Sequence, residues 1–107
     1  MNVKYCCVLS TVPNIKKARE LAGLLVSKGL AACVQILPGL ESHYRWKGKK
    51  EASKEVLLLI KTKSSLYKSL EKNLLKNHPY EVPEIVCLPI TQGSKSYLKW
   101  IDGEVTP

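Results

Sequence analysis

The sequence predicts one α+β domain over residues 1–107, with elements in the order β-α-β-β-α-β and a short helix at the C-terminal end. Two observations support this order. The spacing of apolar residues alternates along the chain between a period of two and a period near 3.6. Turn-forming Pro, Gly, Asn and Ser residues stand where the period changes. A length of 107 residues fits one domain and leaves no room for a second.

The first two elements are a strand and a helix. Alternating apolar side chains predict a strand over Val3–Leu9. After a turn, apolar residues at helical spacing predict a helix over Ile15–Lys28. Asn14 is the expected N-cap of this helix, and Gly29 stands where a C-terminal glycine is typical.

A long hairpin follows the first helix. The second strand is predicted over Leu30–Leu37, and extended chain continues over Leu40–Trp46 after a break or bend at Pro38-Gly39. Lys47-Gly48 predicts a tight turn, because Gly readily adopts a positive φ. The returning strand reaches Lys61.

The last third predicts a helix, a strand and a short helix. Ser64 or Ser65 is expected to cap the second helix, which ends at His78-Pro79 because the residue before proline is pushed out of the α region. A fourth strand is predicted over Glu84–Ile90, and Ser94 is expected to cap the last helix. Right-handed crossovers place both main helices on one face of an antiparallel sheet, which is the ferredoxin-like arrangement.

The predicted strands are apolar on both faces. Val56–Ile60 is an unbroken apolar run, so residues that point to opposite faces of the strand are both apolar. Tyr5–Leu9 and Ile85–Leu88 show the same pattern. A sheet with helices on one face normally alternates apolar and polar residues. Two main helices and a short third one cannot cover both faces, so the second face needs a partner. Self-association is favoured; a helix or loop folded back over the sheet is the alternative.

Composition and charge exclude several functions. The net charge is +8, and fifteen of the seventeen basic residues are Lys, which is typical of a solubilising surface and leaves an anionic partner open. A nucleic-acid module of this topology needs aromatics on the sheet, whereas this chain has no Phe and an aliphatic central strand. No Arg lies in Ser10–Asn14, where an acylphosphatase-type enzyme would need one. We therefore expect no nucleic-acid partner.

The motifs of catalysis and of cofactor binding are absent from the sequence. It contains no G-x-G-x-x-G, P-loop or G-x-S-x-G motif, and its single Asp, Asp102, excludes a clustered-Asp calcium loop. We predict no catalytic residue and no obligatory cofactor. Apolar runs of at most five residues predict no membrane insertion. The N-terminus lacks the features of a signal peptide, so the expected compartment is the cytoplasm.

Seven stretches together are similar to the CutA family of divalent-cation tolerance proteins, in order from Val8 to Ile101. They are Thr11-x-Pro13, Leu30-Ala31-Ala32-Cys33-Val34, Ser42-x-Tyr44-x-Trp46-x-Gly48, Glu55, Ile60-Lys61-Thr62, His78-Pro79-Tyr80-Glu81-x-Pro83-Glu84 and Tyr97-Leu98-x-Trp100-Ile101. The resemblance implies a ferredoxin-like fold that forms a tight homotrimer through its sheets and its long hairpin. It also implies a cytoplasmic role in divalent-cation tolerance, with copper binding in some members and no enzymatic activity. The trimer of the family resembles that of the PII signalling proteins.

The resemblance supports a copper site only weakly. Bacterial members draw on a Cys and a His at the positions that are Ser10 and Asn77 here, and hydroxyl and amide groups are poor copper ligands. His78 remains, with Cys33 or Glu84 from the same or a neighbouring subunit as further candidates. His78 alternatively meets the carbonyls of the preceding helix. Cys33 alternatively is a packed small residue, which is the interpretation favoured for all four cysteines.

The remaining motif residues are assigned to subunit contacts. Tyr44 and Trp46 are the expected interface anchors, since large aromatic residues dominate association energetics. The further residues expected at an interface or an intersubunit pocket are Lys61, Tyr80, Tyr97 and Trp100. The basic residues of the hairpin tip form either a solvated surface or an anion site; they are Arg45, Lys47, Lys49 and Lys50.

Overall fold

The computed structural model describes residues 3–106, which form an antiparallel four-stranded sheet and three α-helices. In chain order the elements are β1 (Tyr5–Val12), α1 (Ile15–Ser27), β2 (Cys33–Trp46), β3 (Lys49–Lys63), α2 (Tyr67–Asn77), β4 (Val86–Ile90) and α3 (Lys95–Glu104). The strand order is β2-β3-β1-β4, with antiparallel neighbours throughout. The strand β3 therefore lies between β1 and β2, which run parallel to each other. The predicted α+β class is confirmed.

The core lies between one face of the sheet and the helices α1 and α2. Alternate residues of β1 and β3 are buried on this face, where they pack against buried residues of both helices. The contributors from the helices are Ala18, Leu21, Leu25, Leu70 and Leu74. Each helix presents one apolar stripe at helical spacing, so both pack on the same side of the sheet, as predicted.

The helix caps are partly as predicted. The N–H of Lys17 donates to Asn14 Oδ1 at 2.8 Å, and the N–H of Tyr97 donates to the Ser94 hydroxyl at 3.4 Å. These two contacts confirm the predicted caps of α1 and α3. The serine cap predicted for the second helix is wrong. A 3₁₀ turn over Ser64–Leu66 precedes α2, and the Ser64 hydroxyl donates to the carbonyl of Val3 instead.

Several strand ends differ from the predicted ones by two to three residues, whereas β2 ends at Trp46 and β4 at Ile90, as predicted. The strand β1 continues to Val12, because its last three residues pair with β3. The strand β2 begins only at Cys33, since the N–H groups of Leu30 and Ala31 both donate to the carbonyl of Leu25 and extend the end of α1. Strand ends could not be predicted more closely from the sequence, because they depend on these hydrogen bonds.

The hairpin of β2 and β3 extends beyond the rest of the sheet. Lys47 and Gly48 have φ values of 51° and 80°, so both central residues of the turn are left-handed, as in a type I′ hairpin turn. At Pro38-Gly39, where a break or bend is expected, the strand is continuous and its register shifts between Leu37 and Leu40. This irregularity separates the part of β2 over the core from the part in the extended hairpin.

The short helix α3 lies on the second face of the sheet. The Asp102 carboxylate accepts hydrogen bonds from the Tyr5 hydroxyl at 2.5 Å and from Lys4 Nζ at 3.1 Å, and Lys63 Nζ lies 3.7 Å away. Ile101 is fully buried beneath the helix. The helix that the sequence left as an alternative is therefore present, but it covers only one end of the face. Within residues 3–106, no helix is long and apolar enough to cross a membrane.

Candidate functional site

The second face of the sheet retains an exposed apolar surface beyond α3. We call this surface the open face, and it consists of Leu9, Leu37, Leu57, Leu59, Val86 and Leu88. Register places these residues together, since Leu9 pairs with both Leu59 and Val86, and Leu37 pairs with Leu57. The side chains of Leu37, Leu88 and Val86 are 55%, 47% and 43% exposed. An apolar surface that spans four strands is typical of an interface.

A lysine and two thiols border the open face near α3. Lys61 pairs with Cys33 on one side and with Cys7 on the other, so all three side chains lie on the same face. Lys61 Nζ donates to Gln35 Oε1 at 2.9 Å and lies 5.8 Å from the ring centre of Tyr97. Burial raises the pKa of the Cys7 thiol, and the charge of Lys61 opposes this rise. These contacts fix the position of the Lys61 charge.

Two aromatic side chains of α3 stand beside this lysine. The rings of Tyr97 and Trp100 are stacked, with centroids 5.7 Å apart and planes inclined by 30°. Both rings remain exposed although they lie next to the open face. The structure thus brings Lys61, Tyr97 and Trp100 together within one chain.

A second polar cluster lies where β1 ends. His78 follows the last residue of α2, and its Nε2 donates to the carbonyl of Thr11 at 2.9 Å. Its Nδ1 accepts a hydrogen bond from the N–H of Tyr80 at 3.1 Å, which fixes the neutral tautomer. The Tyr80 hydroxyl donates to the buried carboxylate of Glu55 at 2.8 Å. These bonds join the segment after α2 to both β1 and β3.

The pKa values in this cluster follow from burial. Burial lowers the pKa of His78 below its ordinary value of 6.5, mainly because the charged ring would lose hydration. Burial, followed by the hydrogen bond to the Glu55 carboxylate, raises the pKa of Tyr80. His78 is therefore held neutral with both ring nitrogens occupied. Its partner is a carbonyl of β1, whereas one sequence interpretation assigned it to the carbonyls of the preceding helix.

The hairpin carries the two expected interface anchors on one of its faces. Tyr44 and Trp46 are two residues apart on β2 and both are exposed. The Tyr44 hydroxyl lies 3.4 Å from Ser53 Oγ, and Lys47 Nζ lies 5.8 Å from the ring centre of Trp46. Both aromatics lie far along the chain from Lys61, at the end of the hairpin, so a single chain does not unite all the predicted interface residues.

Ser10 and Asn77, the two positions that the sequence analysis set apart from the copper ligands implied by the resemblance, lie in different surroundings. Ser10 is fully buried on the core face of β1, and its hydroxyl has no hydrogen-bond partner among residues 3–106. Asn77 Nδ2 donates to the carbonyl of Asn73 at 2.8 Å. A thiol at position 10 would also lie in the core of the chain.

One chain does not assemble the candidate metal ligands. His78 is bonded to Thr11, whose partner on β3 is Leu57, whereas Cys33 pairs with Lys61 four residues further along. This separation is about 13 Å along the strand. Glu84 is exposed in the segment before β4. Among residues 3–106, no three His, Cys, Asp or Glu side chains form a group that could hold a metal ion.

Two polar partners were not assigned by sequence reasoning. Glu55 is the buried carboxylate that holds Tyr80, and Gln35 is the amide that holds Lys61. Glu55 is one of the stretches that carry the family resemblance and directly precedes the apolar run of the central strand, but the sequence analysis gave it no role. Gln35 carries no signal, because an amide in a strand is ordinary.

Comparisons with known proteins agree with this architecture. The profile of the CutA1 divalent ion tolerance protein family matches residues 6–104. Protein CutA, chloroplastic, of Arabidopsis thaliana is 49% identical over 88% of this chain and 52% of its own length. The divalent-cation tolerance protein CutA of Thermus thermophilus is 49% identical over 88% of this chain and 91% of its own length. The crystal structure of CutA1 from Oryza sativa aligns with a TM-score of 0.94 and 44% identity, over 97% of this chain and 95% of that one.

The fold and the open face define a class of small α+β proteins with a four-stranded antiparallel sheet and an exposed apolar surface. The chain belongs to the CutA1 divalent ion tolerance family. It spans about half the length of the plant and mammalian relatives that it matches.

Proposed function

We propose that this chain forms a homotrimer that takes part in the response to divalent metal ions and acts by binding, not by catalysis. The observation that carries the proposal is the open face. Its exposed leucines and valine lie on the side of the sheet that α1 and α2 do not cover, and burial between copies would remove them from water. Three copies per assembly are what the family resemblance implies.

The role in metal tolerance comes from family membership. The relative from Thermus thermophilus is named a divalent-cation tolerance protein. Any metal contact in this chain would be weak and would form where copies meet, because the described residues of one chain do not gather the ligands. Cys33 is the strongest candidate, since its half-buried thiol borders the open face. His78 and Glu84 are the other candidates, and His78 would have to give up one of its two hydrogen bonds.

A signalling or scaffold trimer without a metal role is the second candidate. The specific observation in its favour is the state of His78, whose Nε2 and Nδ1 are both engaged by the backbone. In such a trimer Lys61, Tyr97 and Trp100 would serve protein or small-ligand contacts between subunits. The expected compartment is the cytoplasm for both candidates, although the Arabidopsis relative is named chloroplastic.

Native mass spectrometry at micromolar concentration tests both candidates together, with and without added Cu²⁺ and Zn²⁺. We expect a species of three times the 12.0 kDa of one chain. Metal retained by the wild type and lost in Cys33→Ser would support the metal role. A trimer that retains no metal would support the signalling or scaffold role. A 12.0 kDa monomer would contradict both.

A further inference from the structure

The outer surface of the helix layer carries a row of lysines that the proposed assembly does not use. Leu70 and Leu74 form the inner, buried side of α2. Lys68, Lys72 and Lys76 recur every four residues, and all three are exposed. At 100° per residue, Lys72 lies about 180° from the midpoint between Leu70 and Leu74, so the row points directly away from the core.

The helix α1 extends this basic surface. Its buried residues face the sheet, and Lys16 and Arg19 are exposed on its outer side. A hydrogen bond of 3.1 Å from Lys28 Nζ, directly after α1, to Asn73 Oδ1 connects the two helices, which pack side by side over the same core. We call this surface the lysine face; it consists of Lys16, Arg19, Lys68, Lys72 and Lys76.

Few acidic groups balance the lysine face. The two helices contain six basic residues and two acidic ones, a net charge of +4, which is half of the +8 of the whole chain. Both acidic residues already have partners, since Glu20 lies 3.5 Å from Lys17 Nζ and Glu71 accepts from the Tyr67 hydroxyl at 2.7 Å. Like charges four residues apart destabilise a helix. The row Lys68, Lys72 and Lys76 therefore does not serve helix stability.

Two aliphatic side chains lie exposed among these charges. Leu75 of α2 is 54% exposed and Val26 of α1 is 47% exposed. Leu75 is about 20° around the helix axis from Lys68, so it belongs to the same outer surface. The face thus combines dispersed positive charge with apolar groups that can enter a shallow apolar layer.

We propose that the lysine face binds reversibly to a membrane surface that carries anionic lipid headgroups. Basic clusters of this size on a helix surface are typical of binding to acidic lipids. Lysines are compact point charges, which suit a dispersed layer of headgroups, and Leu75 and Val26 would enter the boundary of the acyl chains. Lysine is depleted at protein interfaces. Sequence-specific or single-stranded nucleic-acid binding relies on Arg or on exposed aromatics, and this face has one Arg and no aromatic residue.

Sedimentation with vesicles tests the proposal. The wild-type protein should bind vesicles of phosphatidylcholine with about 30% phosphatidylserine and should not bind pure phosphatidylcholine. The triple variant Lys68→Gln, Lys72→Gln and Lys76→Gln should lower the partition coefficient about a hundredfold, at about fivefold for each lysine. Leu75→Ser should also weaken vesicle binding, and this loss should be the same at low and high salt. The loss caused by the lysine substitutions should become smaller as salt is raised.

A matched variant separates the lysine face from general charge. Lys47→Gln, Lys49→Gln and Lys50→Gln remove the same charge from the hairpin tip and should leave vesicle binding within a few-fold of wild type. Equal losses in both triple variants, or no binding of the wild type to anionic vesicles, would overturn the proposal. Tighter binding to a single-stranded oligonucleotide than to the vesicles would also overturn it and would identify a nucleic-acid partner. The native mass of each sample reports separately on the proposed trimer.

Discussion

At the scale of single residues, the hydroxyl of Ser10 is the clearest energetic defect. It is fully buried on the core face of β1 without a hydrogen-bond partner in the described part of the chain. Such a group loses its hydration on folding and gains nothing in return. We therefore expect Ser10→Ala to raise the free energy of unfolding by about 1 kcal/mol. Urea denaturation at one fixed protein concentration measures this change.

Thr62→Val is the matched control for Ser10→Ala. The Thr62 hydroxyl is equally buried but donates to the carbonyl of Leu30 at 2.7 Å. Its removal leaves that carbonyl without this partner and should lower the free energy of unfolding by about 1–2 kcal/mol. Opposite signs for two buried hydroxyls would show that hydrogen bonding decides the outcome; a loss of stability in both variants would contradict the account of Ser10.

His78 makes stability depend on pH in a defined direction. Because burial lowers its pKa below 6.5 in the folded chain, the unfolded chain binds the proton more readily. Stability should therefore fall as the pH drops from about 7.5 through 6.5, until the lower folded-state pKa is passed. His78→Gln should remove this part of the pH dependence of the urea midpoint. His43→Gln, at an exposed hairpin position, should retain it; if it does not, His78 is not the group responsible.

The sequence predicted the members of the polar clusters better than their partners. His78, Tyr80 and Lys61 were all named as site residues, because they stand in recognisable motifs. Their partners Thr11, Glu55 and Gln35 are 67, 25 and 26 residues away along the chain. Hydrogen bonds over such separations depend on strand register and on the path of the segment after α2. The residue pattern of one segment predicts neither the strand register nor the path of that segment.

At the scale of elements, the sequence predicted the helix caps that depend only on residues close by in the chain. Asn14 and Ser94 cap their helices as expected, since each bonds to a backbone N–H three residues further on. Ser64 or Ser65 was expected to act in the same way, but a 3₁₀ turn over Ser64–Leu66 comes first, so Leu66 is the residue that precedes α2. The Ser64 hydroxyl donates to the carbonyl of Val3, a distant part of the chain that no local pattern contains.

Two glycines in the first helix and its terminus should respond oppositely to alanine. Gly29 has a φ of 69°, and an added Cβ would lie 2.5 Å from Thr106 Oγ1, so Gly29→Ala should destabilise the fold by at least about 1 kcal/mol. Gly23 lies within α1 with no atom of the described chain in the path of a Cβ, so Gly23→Ala should stabilise by about 0.5–1 kcal/mol. Thermal unfolding of both variants checks the pair; a stabilised Gly29→Ala would contradict the close approach of Thr106 to Gly29.

At the scale of the whole molecule, the sheet separates two surfaces of different chemistry. One side carries the helix layer with its lysine face, and the other carries the open face and α3. The doubled apolar pattern of the strands predicted a second face in need of cover. It did not predict that Asp102, through Tyr5 and Lys4, would hold α3 over one end of that face. The apolar surface left by α3 is therefore smaller than the sequence implied, and it lies beside Lys61.

This separation predicts opposite effects for two exposed leucines. Leu88 lies on the open face and Leu75 on the outer side of α2, with similar exposed fractions of 47% and 54%. Leu88→Glu would place a charge inside the proposed interface and should shift the native mass from three chains toward one at micromolar concentration. Leu75→Glu introduces the same charge on the opposite side and should leave the mass unchanged. An intact trimer in Leu88→Glu, or loss of the trimer in Leu75→Glu alone, would contradict assembly through the open face.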